Sequence, residues 1–168
     1  MTDLTITAPR TTFDVKVGQA IHRLLRQHGA KPKLSYDGSH VRIRMPYETA
    51  RDLSLALDAS TAWSMRQLHD HPAPPLYSAG IVYRREPTCR DESGTLRICE
   101  EFLTARCVYD RGAGDCDDLA PLRAAELRLQ GERANAYARR SAAGWHVVVR
   151  RGDGTIEDPS AILGMPTS

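Results

Sequence analysis

The sequence predicts an α+β fold in which one helix packs on a small antiparallel sheet, with an N-terminal β-α-β-β-α appendage. Three observations predict it. An amphipathic run follows a glycine-rich turn at residues 111–114. Three strand-like runs come directly after that helix. In the first half of the chain, strand-like and helical spacings of apolar residues succeed one another up to a proline-rich break at residues 71–75.

The N-terminal elements follow from local patterns. Asp37-Gly38 is a favoured hairpin turn, Gly29 stops a helix, and Pro46 suits the first turn of another helix. The predicted elements are a flexible arm at 1–12, a strand at 13–17, a helix at 21–28, a hairpin over 33–44 and a helix over 46–68.

The second half contains the predicted helix and strands that hold the candidate catalytic residues. The predicted elements are a helix at 96–109, a helix from Cys116 to Gly131 and strands at 134–138, 145–150 and 155–158. The resulting organisation is a flexible arm at 1–12, an appendage at 13–70, a proline-rich junction at 71–80 and a core at 81–168.

Composition limits the class of protein. The chain has 168 residues, of which 41% are hydrophobic and 26% charged, which is typical of a globular domain and not of a disordered chain. No apolar run approaches the roughly 20 residues of a membrane helix, and no leader peptide is visible, so a cytoplasmic protein is expected. A net charge of +2 argues against a nucleic-acid partner.

Cys116 is the candidate nucleophile. Its position after a glycine-rich turn predicts that it begins a helix, where backbone N–H groups and the helix dipole stabilise a thiolate. The same N–H groups could serve as an oxyanion hole. The neighbouring Asp115, Asp117 and Asp118 suit helix capping. The other cysteines, at 89, 99 and 107, are expected to be inert thiols.

His146 and Asp158 are the candidate partners of the thiol. They lie on successive predicted strands, joined by a turn at residues 151–154. A two-residue turn would put the two side chains on opposite faces, whereas a three-residue loop, 152–154, pairs position 148 with 158 and puts both on one face. We therefore predict the three-residue loop or an equivalent bulge.

This order of motifs resembles the transglutaminase-like branch of the papain-type cysteine superfamily. The matching segments are Gly114-Asp115-Cys116-Asp117-Asp118-Leu119-Ala120, His146-Val147-Val148-Val149 and Glu157-Asp158-Pro159-Ser160. More loosely, residues 75–83 and 162–165 look like small transglutaminase-like proteins of tailed phages and prophages. The resemblance implies Cys116 as nucleophile, His146 as base and Asp158 as orienting group, with a protein or peptide substrate and no cofactor or metal.

Several alternatives stay open. The chain could be a cysteine protease or amidase, a transamidase, or a phage virion or assembly protein that keeps the fold for binding, associated with the virion.

Some residues of the site are also open. Pro121 departs from the family pattern, and Tyr83 or Tyr109 are the candidates for an oxyanion side chain. Two metal sites, one at Asp115, Cys116 and His146 and one at residues 69–71, are less favoured. The arginine pairs at 84–85, 139–140 and 150–151 are expected to be solvated or to contact partners.

Overall fold

The computed structural model describes residues 2–86, 88–90, 96–98, 101–141 and 144–166. The fold combines helices and strands, which confirms the α+β class. The elements in chain order are β1 (Thr2–Pro9), α1 (Thr12–Gln27), β2 (Lys33–Tyr36), β3 (His40–Tyr47), α2 (Ala50–Asp70), β4 (Val82–Tyr83), β5 (Thr88–Arg90), β6 (Leu96–Ile98), β7 (Glu101–Leu103), α3 (Ala105–Arg111), β8 (Ala113–Gly114), α4 (Cys116–Leu129), β9 (Ala134–Ser141), β10 (Gly144–Arg151), β11 (Ile156–Glu157) and α5 (Pro159–Ile162).

The N-terminus is a central strand and not the expected flexible arm. β1 pairs antiparallel with β3 and parallel with β7, so that it lies inside a four-stranded sheet with the order β2-β3-β1-β7. Leu4, Ile6 and Ala8 alternate along it and are buried. The burial of this face stabilises the strand, and its β-branched threonines also favour an extended backbone.

The first helix begins earlier than predicted. Residues 13–17, expected to form a strand, belong to α1, because Thr11 caps this helix by accepting the Asp14 N–H at 3.0 Å. The predicted hairpin is confirmed as β2 and β3, which residues 37–39 connect; the Asp37 carboxylate accepts the N–H groups of Ser39 at 2.9 Å and of His40 at 2.7 Å. Pro46 lies in β3, and α2 begins after the cap residue Thr49.

The predicted helix at 96–109 is also wrong in its first half. Residues 96–98 and 101–103 form strands, and the helix is confined to α3. Residues 99–100 lie outside the described residues. β7 forms through a long-range contact, since it pairs with β1, which lies almost a hundred residues earlier in the chain.

One core joins the two halves of the chain. α2 and α4 pack against each other, and α2 also contacts β1 and β9. β9, β10 and β11 form a second, antiparallel sheet, on which α4 packs. The main core cluster includes Ile6, Trp63, Phe102, Ala120 and Val147. The first sheet and this core therefore use residues from before and after the 71–80 segment.

A buried carboxylate ties the helices together. Asp14 of α1 is fully buried and accepts hydrogen bonds from Trp63 Nε1 at 3.0 Å and from Gln67 Nε2 at 2.7 Å, both on α2. The Gln67 amide oxygen in turn accepts the N–H of Arg106 on α3 at 3.0 Å. These bonds compensate the cost of burying the polar groups and fix the relative positions of α1, α2 and α3.

Candidate functional site

Cys116 is the first residue of α4, as its position after the glycine turn predicts. Asp115 is the N-cap residue, and the Cys116 side chain is half-buried and packs against the main core. Pro121 lies inside the helix and cannot donate the backbone hydrogen bond to residue 117. Cys107, in contrast, is buried in α3, where burial raises the pKa of its thiol to about 12. Cys89 lies in β5, and Cys99 lies outside the described residues.

Close packing fixes the turn before Cys116. Gly114 has no space for a side chain, because a Cβ there would lie 2.9 Å from the Cβ of Asp118. The Asp118 carboxyl group accepts the N–H of Leu103 at 2.6 Å and the N–H of Asp115 at 3.2 Å. Asp118 therefore joins the end of β7 to the start of α4 and holds the backbone that presents Cys116.

Three carboxyl groups surround the start of α4. Asp115, Asp117 and Asp118 are all buried, and one oxygen of each lies within 4.8 Å of the others. Burial, followed by the neighbouring carboxyl groups, raises the pKa of Asp117 well above its ordinary value, and burial likewise raises the pKa of Asp118. A raised pKa favours the uncharged form of a carboxyl group, which opposes a thiolate at Cys116 less than a carboxylate does. Within the described residues these three side chains are the group able to hold a cation, although the positive end of the helix dipole disfavours one.

His146 and Asp158 form a hydrogen-bonded pair. His146 Nε2 lies 2.8 Å from Asp158 Oδ2. The His146 side chain is only 11% exposed and that of Asp158 is 23% exposed. The other carboxylate oxygen, Oδ1, accepts the N–H of Ala161 at 3.1 Å, because Asp158 is also the N-cap residue of α5. Asp158 is therefore held from the helix side while it contacts the imidazole.

The register that brings this pair together is the predicted one. Val149 pairs with Glu157 and Arg150 with Ile156, which extends to a pairing of positions 148 and 158. The connection is therefore the three-residue loop 152–154. Its last residue, Gly154, has a φ of +88°, a left-handed conformation that glycine adopts without strain.

Glu157 holds the strand that carries Asp158. Its carboxylate accepts hydrogen bonds from Arg123 Nε of α4 at 2.6 Å and from Arg151 Nε of β10 at 2.9 Å. The hydroxyl group of Tyr77 also donates to it. Burial by itself would raise the pKa of Glu157, but these three donors outweigh burial and lower it. The carboxylate thus fastens β11 to both α4 and β10.

Two arginine contacts indicate how α4 runs relative to the second sheet. Arg123 binds the β11 residue that pairs with Val149, and Arg128 binds the start of β9, beside the end of β10. α4 and β10 therefore run in the same direction. Cys116 precedes Arg123 by a rise of about 10 Å along the helix, and His146 precedes Val149 by about 10 Å along the strand.

Strand alternation defines the side from which the imidazole projects. Val147 and Val149 point into the main core together with Ala120 of α4, so His146 projects from the other side of β10. To reach the start of α4, the imidazole therefore has to extend around the edge of β10. In the part of the chain that the structure describes, β11 pairs with Val149 and Arg150 alone, so this edge is not strand-paired at His146.

The two tyrosine candidates differ in their surroundings. Tyr83 pairs with Gly114 in the β4–β8 ladder, and its N–H donates to Leu163 O at 2.9 Å, after α5. Burial raises the pKa of Tyr83, and the negative charges of Cys116 and Asp115 raise it further. The Tyr109 hydroxyl group instead donates to Pro74 O at 2.7 Å, in the 71–80 segment. Tyr83 is therefore the tyrosine that borders the start of α4.

Arg139 belongs to one of the arginine pairs that the sequence predicted to be solvated or to contact partners, and the structure places it beside the His146–Asp158 pair. It pairs with His146 in the β9–β10 ladder, and its Nη2 lies 3.8 Å from Asp158 Oδ2. The strand register, once known, identifies it.

A shallow depression of about 530 Å³ borders Asp158. Cys116 and His146 are not part of its lining, which comprises Arg151, Asp153, Thr155, Ile156, Glu157, Asp158, Ala161 and Ile162.

Comparisons with family models, with curated proteins and with solved structures found no match to this chain. Among the described residues, no helix combines the length and the apolar character needed to cross a lipid bilayer. The chemistry of the site is therefore argued from the geometry of this chain alone.

Proposed function

We propose that the chain is a thiol-dependent acyl-transfer enzyme of the transglutaminase-like type, with Cys116, His146 and Asp158 as its triad. The observation that carries the proposal is the 2.8 Å hydrogen bond between His146 and Asp158. A carboxylate on one ring nitrogen orients an imidazole, as general-base catalysis at a thiol requires. The order of helix α4 and the antiparallel strands β9, β10 and β11 supports the proposed resemblance to a papain-type core.

Each residue has a defined role in the proposed reaction. Because Nε2 of His146 faces Asp158, Nδ1 takes the proton of the Cys116 thiol. The thiolate attacks an amide or ester carbonyl, and a carbon–sulfur bond forms. Collapse of the tetrahedral intermediate breaks the bond to the leaving group, which receives the proton from Nδ1. Backbone N–H groups at the start of α4 stabilise the oxyanion, and Tyr83 is the nearest candidate to assist them.

Water or an amine then attacks the thioester and releases Cys116, which gives hydrolysis or transamidation respectively. The proposal requires no cofactor or metal, because the nucleophile, the base and the orienting group are all side chains of the chain itself. A protein or peptide is the proposed substrate, and the host cytoplasm is the proposed location.

Acyl trapping with p-nitrophenyl acetate tests the proposal. We expect a burst of p-nitrophenolate and an acetyl group on Cys116, located by peptide mass spectrometry. Cys116→Ala abolishes the burst, and His146→Gln slows it by about a hundredfold or more, the usual contribution of a general base. Cys107 is the internal control, because its raised pKa keeps it protonated. Equal acetylation of Cys116 and Cys107, or an undiminished burst in Cys116→Ala, would contradict the proposal.

The same experiment addresses the alternative of a virion or assembly protein that uses this fold for binding. That alternative predicts no acyl-enzyme at Cys116 and unchanged biological function in Cys116→Ser. Recovery of the chain in purified phage particles, together with an inert Cys116, would favour it over the enzyme.

A further inference from the structure

The β9–β10 hairpin carries a concentration of positive charge. From Ala134 to Arg151 the sequence holds four arginines and one histidine but no aspartate or glutamate. Arg151 pairs with Glu157 and Glu132. In the described part of the chain, Arg140 and Arg150 are exposed and make no ion pair, so their charges are available to a partner.

Much of this charge lies on one side of the hairpin, next to the His146–Asp158 pair. The register and strand alternation place Tyr137, Arg139, His146 and Arg150 on the same side, here called the basic face. Val148, at its centre, is fully buried. The Arg139 side chain is 47% exposed, and the Arg150 guanidinium lies 4.9 Å from the centroid of the exposed Tyr137 ring.

The hairpin also offers an open strand. β9 is the outermost strand of the second sheet, so its outward N–H and C=O groups have no strand partner within the described residues. An edge strand of this kind pairs with an extended polypeptide, which gains backbone hydrogen bonds while its alternate side chains face one side. A nucleic acid gains nothing from such an edge.

We infer that the basic face binds an extended acidic polypeptide, whose alternate carboxylates contact Arg139 and Arg150. This inference rests on the proposed function, because the acidic polypeptide would be the substrate on which Cys116 acts. Single-stranded nucleic acid is the less favoured ligand. Arg150 and Arg140 lie over the rings of Tyr137 and Trp145, where bases would stack, and the net charge of the chain is only +2.

The test measures binding without chemistry, in the Cys116→Ala variant, so that failure of the proposed enzyme and failure of this inference are distinguishable. Fluorescence anisotropy compares two labelled peptides of identical composition. One alternates glutamate and threonine, and the other repeats two glutamates followed by two threonines. Only the alternating peptide places all its carboxylates on one side when extended. We expect it to bind about threefold to tenfold more tightly, and to weaken as salt is added.

Charge-neutral variants locate the surface. We expect Arg139→Gln and Arg150→Gln each to weaken binding of the alternating peptide about threefold to tenfold. Arg23→Gln, which removes the same charge from the exposed side of α1, is the matched control and should leave binding unchanged. Equal affinity for the two peptides, no saturable binding, an equal effect of Arg23→Gln, or tighter binding of a thymidine oligonucleotide through the same arginines would overturn the inference.

Discussion

The Glu157 carboxylate is the most informative single point at which to perturb the structure. It is 12% exposed and accepts hydrogen bonds from Tyr77, Arg123 and Arg151, which belong to three different segments. Glu157→Gln keeps the shape of the side chain, removes its charge and turns one acceptor into a donor that faces guanidinium donors. Because this leaves the poorly exposed Arg123 with Glu126 as its remaining carboxylate, we expect a loss of about 2–4 kcal/mol in the free energy of unfolding.

Urea denaturation followed by circular dichroism measures this loss. A loss of that size corresponds to a decrease in Tm of about 5–15 °C for a domain of this length. Glu132→Gln is the matched control, since the Glu132 side chain is 44% exposed and, among the described residues, pairs with Arg151 alone. We expect this control to cost less than about 1 kcal/mol. If the two variants were equally stable, the reasoning that Glu157 fastens β11 to α4 would be refuted.

The same carboxylate makes stability depend on pH. Burial alone would raise the pKa of Glu157, but the bonds from Tyr77, Arg123 and Arg151 lower it below the value in the unfolded chain. A lowered pKa in the folded state contributes stability that is present above the unfolded value of about 4.3 and is lost as pH falls through the folded value. The difference in unfolding free energy between wild type and Glu157→Gln should therefore be full at neutral pH and shrink in acid. A difference independent of pH would contradict this account.

Two further substitutions test the packing around the site and in the core. Gly114→Ala should cost about 1–3 kcal/mol in the free energy of unfolding, because its Cβ would lie 2.9 Å from the Cβ of Asp118. Gly38→Ala is the control, because no atom lies within 4 Å of its Cβ, and it should change the free energy of unfolding by less than about 0.5 kcal/mol. Asp14→Ala should cost about 2–4 kcal/mol, because it leaves the buried donors of Trp63 and Gln67 without their acceptor. Chemical denaturation measures both, and a neutral effect of Gly114→Ala or Asp14→Ala would contradict the packing described.

Local chemistry made parts of the site predictable from the sequence. The position of Cys116 follows from the glycine turn and the helix that it precedes. The pairing of His146 with Asp158 follows from parity, since only an odd loop puts both side chains on one face of the sheet. The β2–β3 hairpin was equally local, because the Asp37 carboxylate accepts the N–H groups of Ser39 and His40 within the turn itself.

The errors arose where local signals were overlooked or where distant contacts decide the structure. Leu4, Ile6 and Ala8 do alternate, but β1 exists because β3 and β7 pair with both of its edges. In α1, the cap at Thr11 outweighs the strand-like alternation that follows it. Neither the strand at Glu101–Leu103 nor the proximity of Arg139 to Asp158 has a local signal, since each depends on the pairing of separate strands.

The central claim is that the imidazole of His146 acts on the thiol of Cys116, and the pH dependence of alkylation tests it most directly. Iodoacetamide modification of Cys116, followed by peptide mass spectrometry, reports the pKa of that thiol. We expect an inflection well below the ordinary thiol value of about 8.5 in wild type, and a clear upward shift in His146→Gln. The same inflection in both proteins would show that the imidazole does not reach the sulfur and would contradict the proposed triad.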